Sequence, residues 1–382
     1  MKSVFYWSPC LEKVGTYKST INSALSLGKY SSKNINVNII NVCGEWNKEK
    51  DLFKKNNVGL IDIGFNIFEY LPKSGYIKSR FSYFIIAVLS FFPLIKLLIK
   101  KRPDFLVSHL LTSIPFLIFI FFKFKTKLIL RISGYPKLTF IRKNIWKLCS
   151  KKIFRVTFPS NELLNQLSDN NIFLKDKLIF LPDPIINIKE YKNKKKNSQT
   201  DTINFHKKKF FISVGRLTKQ KNFSYLIKEF KKFSEKNMDF DLLIFGKGEE
   251  HDHLNDLIHS LHLPKRVFLL GYNENVFEYM RKAEAFILSS LWEDPGFVLI
   301  EAAFNNSFVI SSDCKNGPKE FLQNGKAGIL FESNKNNALF DALTSYITQK
   351  PNLKAKKILA KKNCLKYSLL RHHEIIKNIF LD

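Results

Sequence analysis

The 382 residues are enough for two domains that each bury a core, and a hydrophobic fraction of 45% is ordinary for a globular chain. Basic side chains outnumber acidic ones 62 to 33, and the resulting formal charge of +29 implies an anionic partner: phosphorylated substrates, acidic lipid headgroups or nucleic acid. Five cysteines, widely spaced and without a Cys-x-x-Cys pair, argue against a zinc ribbon or a disulfide framework and for a reducing cytosol.

Val4–Trp7 is too short for the apolar region of a signal peptide and is closed by Ser8-Pro9, so it reads as a first strand. Strand-like runs follow at Val37–Val42, Leu60–Ile63, Phe105–Ser108, Leu128–Ile132, Ile153–Val156 and Leu178–Leu181. Their alternation with helical runs predicts a doubly wound parallel sheet. Gly15-Thr16 lies in the first strand-to-helix connection, ahead of a helix around Ser19–Leu27. Phe81–Ile99 is almost wholly apolar and ends at Lys100-Lys101-Arg102; Ser113–Phe122 is shorter and precedes Lys123, Lys125 and Lys127. Both runs suit core helices, and both suit aromatic, basic faces turned to a membrane surface. Length and flanking cations alone do not establish a transmembrane span. His109 closes the strand Phe105–Ser108, at the carboxyl end where open sheets bind ligands; a hydrogen-bonded core histidine fits the same position. Arg131 could bind an acidic or phosphorylated acceptor, or pair with a carboxylate.

The pattern breaks at Leu181-Pro182-Asp183-Pro184, and residues 187–209 are mostly polar, with Lys194-Lys195-Lys196 and Lys207-Lys208-Lys209. The expected organisation is a first domain over 1–186, a basic linker over 187–209, a second domain over 210–360, and a helical tail over 361–382 that packs back towards the first domain. The second domain restarts with the strand Phe210–Val214 and continues with Leu242–Phe245, Val267–Leu270, Ala285–Leu288, Phe308–Ile310 and Ile329–Phe331. Phe223, Leu226, Ile227, Phe230 and Phe233 keep the spacing of one buried helical face.

Chemistry concentrates at the ends of these strands. Gly215-Arg216-Leu217 and Lys221 place a guanidinium and an ammonium in one loop, where both could reach a diphosphate. Gly246-Lys247-Gly248 permits a tight turn and close ligand approach, and Gly271-Tyr272 follows the next strand. After Ala285–Leu288 come Ser289-Ser290, then Glu293, the turn Asp294-Pro295-Gly296, and a helix opening near Phe297 and Val298. Glu293 precedes that helix and Glu301 sits about one turn inside it. Free amide N–H groups at such a helix start favour a diphosphate, and a carboxylate beside it suits a sugar hydroxyl. Asp239-Phe240-Asp241 precedes a strand rather than following one, and His251, His253, His259 and His262 read as an exposed helix face, so neither is taken as a metal site. The many Phe residues track strand and helix cores, and no recognised nucleic-acid motif is present.

Glu293-x7-Glu301 with Gly296-Phe297 inside it, the preceding Ser-Ser, and Gly317-Pro318-x-Glu320 beyond it resemble the donor-site signature of the family 4 retaining glycosyltransferases. The resemblance is strong from Phe210 to Phe331 and weaker before Pro182. It implies a GT-B fold: two Rossmann-like, doubly wound α/β domains facing across a cleft. It also implies a nucleotide-sugar donor, expected to be UDP-linked, with no cofactor and no bound metal. Glu293 would hold the transferred sugar and Glu301 the ribose. Arg216 and Lys221 would stabilise the leaving diphosphate, His109 would face the donor sugar, and Gly246, Gly248, Tyr272, Gly296, Phe297 and Val298 would line the nucleotide. Gly15 matches a first-loop position where many relatives carry two glycines, and Asp294-Pro295-Gly296-Phe297 stands where many have Gly-Phe-Gly. The resemblance is nearest to bacterial enzymes of O-antigen and capsule synthesis, which implies a saccharide acceptor on undecaprenyl diphosphate and an anionic membrane at the cytoplasmic face. An epimerase of the same fold and a non-enzymatic polyanion binder are the alternatives.

Overall fold

The computed structural model describes residues 1–12, 15–73, 76–196, 209–349 and 353–381. The chain divides into two compact units, Met1–Ile185 with Tyr367–Asp382, and Ile186–Lys366. Each is a parallel sheet covered by helices, the doubly wound architecture expected from the alternation of strands and helices.

In the first unit the strands are β1 (Lys2–Trp7), β2 (Ile35–Asn41), β3 (Val58–Asp62), β4 (Phe105–Ser108), β5 (Lys127–Arg131), β6 (Ile153–Phe158) and β7 (Leu178–Phe180). They form a seven-stranded sheet in the order β3-β2-β1-β4-β5-β6-β7, parallel throughout. The helices are α1 (Gly15–Tyr30), α2 (Lys50–Lys55), α3 (Tyr76–Lys101), α4 (Ser113–Phe121), α5 (Phe140–Ser150) and α6 (Asn161–Ser168). Strand β1 shows why its run is continuously apolar. Val4 and Tyr6 enter a core shared with α1, while Phe5 and Trp7 enter the opposite core under α3, α4 and α5. A strand covered on both faces has no solvent side on which to place polar residues.

The second unit opens with α7 (Ile188–Lys196) and β8 (Lys209–Val214), then α8 (Phe223–Lys236), β9 (Phe240–Phe245), α9 (His251–Ser260), β10 (Val267–Leu269), α10 (Phe277–Lys282) and β11 (Ala285–Leu288). It continues with α11 (Phe297–Phe304), β12 (Phe308–Ser312), α12 (Pro318–Phe321), β13 (Ile329–Phe331), α13 (Ala338–Thr348) and α14 (Leu353–Asn363). Its six strands run in the order β10-β9-β8-β11-β12-β13. The apolar face foreseen for α8, from Phe223 to Phe233, is buried in the core of this unit.

Two segments differ from the organisation expected from composition. Residues 188–196 form α7 rather than an exposed linker, because Tyr191 packs on Phe277 and Phe304 at ring centroid distances of 5.2 and 4.8 Å. Lys207 and Lys208 lie outside the described residues. The tail helix expected over 361–382 begins later, at Leu369. Helix α14 stays in the second unit, where Asn363 donates to Phe321 O at 2.7 Å. Only α15 (Leu369–Leu381) belongs to the first unit, with Ile376, Ile379 and Phe380 in the core beside α1.

Candidate active site

In an open parallel sheet, ligands bind outside the carboxyl ends of the strands at the point where strand order reverses. In the second unit that point lies between β8 and β11. The segments leaving these strands are Gly215–Lys221 and Ser289–Gly296, which carry Arg216, Lys221 and Glu293.

Hydrogen bonds join the two segments. Leu291 N donates to Gln220 O at 2.9 Å, and Gln220 Nε2 donates back to Trp292 O at 2.9 Å. Ser289 Oγ donates to Lys221 O at 2.8 Å, and Ser290 Oγ donates to Glu293 Oε1 at 2.6 Å. Lys221 Nζ closes the arrangement as an ion pair with the same Glu293 oxygen, the two side chains being 13% and 6% exposed. The stem of Lys221 lies across Gly215, where an added Cβ would stand 3.2 Å from Lys221 Cε. The consecutive serines thus have separate tasks: one tethers the neighbouring loop and the other orients the carboxylate. In the sequence Ser290 stands only as flanking context. A hydroxyl three residues before an acid, at a strand's carboxyl end, was the available signal.

Beyond Glu293 the Asp294–Pro295 peptide is cis, and Gly296 caps α11 at φ 90°, a left-handed conformation that a side chain disfavours. Phe297 and Val298, both partly buried, form the first turn of α11, and Glu301 follows on the same helix. The next connection supports this turn: Glu293 N donates to Lys315 O at 3.2 Å, and Trp292 and Lys315 form a parallel bridge. Cys314, close enough to feel Glu293 and Lys221, is pushed up to about 12 chiefly by burial and remains a thiol.

The segments after β8, β9 and β10 meet through backbone. Gly215 N donates to Phe245 O at 2.9 Å, Gly246 N to Gly271 O at 2.8 Å, and Leu217 N to Lys247 O at 2.9 Å. Gly246 has φ 152°, and a Cβ there would lie 1.7 Å from Gly215 O, so only glycine fits. A Cβ on Gly248 would lie 2.2 Å from Leu217 O. Tyr272 is exposed beyond β10, and Arg216 is exposed in the β8 segment. The structure therefore brings together Lys221, Glu293 and Ser290, sets Gly296–Val298 and Glu301 directly after them, and places Gly246 and Gly248 on the neighbouring strand end. Of the signals set aside, Asp241 accepts from Arg266 Nε at 3.0 Å, and His251, His253 and His259 lie exposed on α9.

The first unit reverses strand order between β1 and β4. His109 N donates to Trp7 O at 2.9 Å across that point. Its Nδ1 lies 2.8 Å from Thr20 Oγ1, which also donates to Thr16 O at 3.0 Å. With the threonine proton directed to that carbonyl, Nδ1 is the donor and Nε2 carries a lone pair. Among the described residues Nε2 has no hydrogen-bond partner. Burial first, then the Arg131 and His372 charges, hold His109 well below the ordinary histidine value, so the ring is neutral. Arg131 takes the second of its two sequence readings: it is buried and paired with Asp183, which also accepts from Ser19 Oγ. Gly15 is the exposed first residue of α1.

Residues 194–363 match the family model of glycosyl transferases group 1. An uncharacterised glycosyltransferase of Methanocaldococcus jannaschii is 38% identical over 173 residues, covering 45% of this chain and 40% of that protein. The N-acetylgalactosamine-N,N'-diacetylbacillosaminyl-diphospho-undecaprenol 4-alpha-N-acetylgalactosaminyltransferase of Campylobacter jejuni is 30% identical over 241 residues, covering 62% of this chain and 65% of that protein. The matched stretches thus span 40% and 65% of the length of these curated relatives. Among solved structures, an Anabaena protein in complex with UDP superposes with a TM-score of 0.74 at 14% identity, over 99% of each chain. Residues 194–363 of the second unit are thus similar to glycosyl transferases group 1, and the chain has the GT-B fold.

Proposed function

We propose that the protein is a retaining, metal-independent glycosyltransferase that moves a hexose or N-acetylhexosamine from a UDP-sugar to a lipid-linked saccharide at the cytoplasmic face of the plasma membrane. The observation that carries this reading is the Lys221–Glu293 pair, oriented by Ser290, at the strand-order reversal beside the start of α11. A cation and a carboxylate held together there match the two halves of a sugar nucleotide: a diphosphate for Lys221, a sugar hydroxyl for Glu293. Support for the lipid-linked acceptor comes from the Campylobacter relative, whose name specifies an undecaprenol diphosphate saccharide. Support for the nucleotide comes from the UDP complex of the Anabaena protein.

In this mechanism Arg216, Lys221 and the amide groups opening α11 take up the charge that grows on the departing diphosphate. The bond from the anomeric carbon to the phosphate oxygen breaks, and the acceptor hydroxyl bonds to that carbon on the same face. The hydroxyl proton passes to the departing phosphate oxygen, so the products are UDP and the glycoside. Glu293 orients the sugar, and Glu301 holds the ribose hydroxyls.

The test is thermal stabilisation by a panel of UDP-sugars with and without EDTA, followed by transfer assays on the responding donor. A ligand at a hundredfold its Kd adds about 2.7 kcal/mol of stability. Expected are stabilisation by one UDP-sugar, unchanged in EDTA, and a loss of roughly 10²–10³ in rate for Glu293→Ala. Full activity of Glu293→Ala, dependence on added metal, or conversion of the UDP-sugar to an epimer without acceptor would overturn the reading.

A further inference from the structure

The geometry points to a bilayer-docking face built by α3, α4 and α5 of the first unit, on which the protein lies in the plane of an anionic membrane without crossing it. This deepens the lipid-linked reading of the acceptor and rests on it only for what the membrane presents.

Helix α3 carries an uncovered apolar stripe. Phe81, Phe84, Val88, Phe92 and Ile99 are all exposed, Phe92 to 75%. Their spacings of three, four, four and seven residues keep them on one side of a helix, over a length of about 27 Å at 1.5 Å per residue. The opposite side is committed elsewhere: Ile86, Leu94 and Leu98 sit in the core of the unit. Helices α4 and α5 extend the same layer, α3 packing on α4 and α4 on α5. Phe121 at the end of α4 is exposed, as are Phe140, Ile141 and Leu148 on α5, Phe140 to 82%.

Charge selects the occupant. Along α3 Lys78 precedes the apolar stripe, Lys96 lies between Phe92 and Ile99, and Lys100 and Lys101 follow it, all exposed. On α5, Arg142 and Lys147 flank the exposed Ile141 and Leu148. Aromatic and aliphatic groups with long-stemmed cations at the margins suit acyl chains and anionic headgroups, because the stems lie along apolar surface while the ammonium groups reach phosphate. A second copy of the chain would meet the same cations with its own, at a formal charge of +29 each.

By length and composition Lys78–Lys101, with a mean hydropathy of 2.2, could cross a membrane. Crossing would withdraw Ile86, Leu94 and Leu98 from the core and strip one face of the sheet, so the helix lies flat with its outer side in the interface. The face also adjoins the segment after β1. Leu11, a few residues before the start of α1, is buried in the core against which Tyr83 of α3 packs. A saccharide on a membrane-held carrier would approach that segment along the docked face.

The experiment is co-flotation of the full chain with vesicles of phosphatidylethanolamine and phosphatidylglycerol, compared with pure phosphatidylcholine. Expected are binding to the anionic vesicles, weakening but persisting as salt rises because the apolar contact is unscreened, and at least a tenfold loss of partition for Phe84→Ser/Phe92→Ser. Nucleotide-sugar stabilisation of that variant should stay unchanged, which separates failure of this proposal from failure of the donor reading and shows that the variant folds. Three outcomes would overturn the proposal: no flotation of the unaltered chain, undiminished flotation of the variant, or a dimer in solution that the two substitutions dissociate.

Discussion

Lys221 and Glu293 lie 72 positions apart in the chain, and the ion pair they form is almost closed to solvent. Removing the cation leaves a buried carboxylate held by the Ser290 hydroxyl without its counter-charge. Lys221→Met should therefore cost about 1–3 kcal/mol of stability as well as activity. Because the two groups share one interaction, Lys221→Met and Glu293→Gln together should cost less than the sum of the single changes. Chemical denaturation of the two single variants and the double variant measures this, and strict additivity would show that the pair is not formed in solution. At this scale the sequence disclosed which residue types were available: a cation pair after one strand and spaced acids after another. It could not show that Lys221 and Glu293 are bound to each other, since that depends on which strands become neighbours. The same holds for His109. Its place at a strand end was readable, whereas the Thr20 hydroxyl that sets its tautomer comes from α1.

Among the elements, the connections rather than the strands set the site's shape. Gly246→Ala would drive a methyl group into Gly215 O, and the clash is with backbone rather than a flexible side chain. The expected outcome is a soluble but destabilised protein that no longer responds to UDP-sugars in a thermal-shift assay; an unchanged response would mean the β8 and β9 connections separate freely. Helix α15 offers a second test. Ile376, Ile379 and Phe380 are buried in the first unit, and Phe380 packs on Phe105 at a ring centroid distance of 4.9 Å. Each such side chain is worth about 1.5–3 kcal/mol when buried. Ending the chain at Lys366 should lower the melting temperature by upwards of about 10 °C or render the protein insoluble. The strands were legible because both faces of these sheets are covered and the runs are continuously apolar. The identity of α7 was not, because a lysine- and asparagine-rich stretch gives no sign that Tyr191 will find Phe277 and Phe304.

For the whole molecule, buried neutral histidines couple folding to pH. His372 Nδ1 donates to Pro182 O at 2.7 Å, and Ser23 Oγ lies 2.7 Å from its Nε2. Burial holds His372 and His109 well below the ordinary histidine value. On acidification the unfolded chain therefore takes up these protons first, near pH 6.5. Stability should be complete above that pH and fall below it, by up to about 1.4 kcal/mol per pH unit for each histidine. Melting temperatures between pH 7.5 and 5.5 test this, with His372→Gln flattening the curve; a flat profile in the unaltered protein would show that these rings are not buried in the neutral form.

The primary structure by itself determined the architecture and the chemistry at hand. Period and composition are local properties, so alternating apolar strands and amphipathic helices, the glycine turns, and the acids around Gly296 could be read directly. Only the tertiary structure decided which of those groups meet. The strand order places the β8 and β11 connections side by side, divides the tail between the two units, and leaves one face of α3 uncovered while burying the other. Each of these outcomes depends on contacts between residues tens to hundreds of positions apart, and local sequence pattern carries no record of which distant surfaces will pack together.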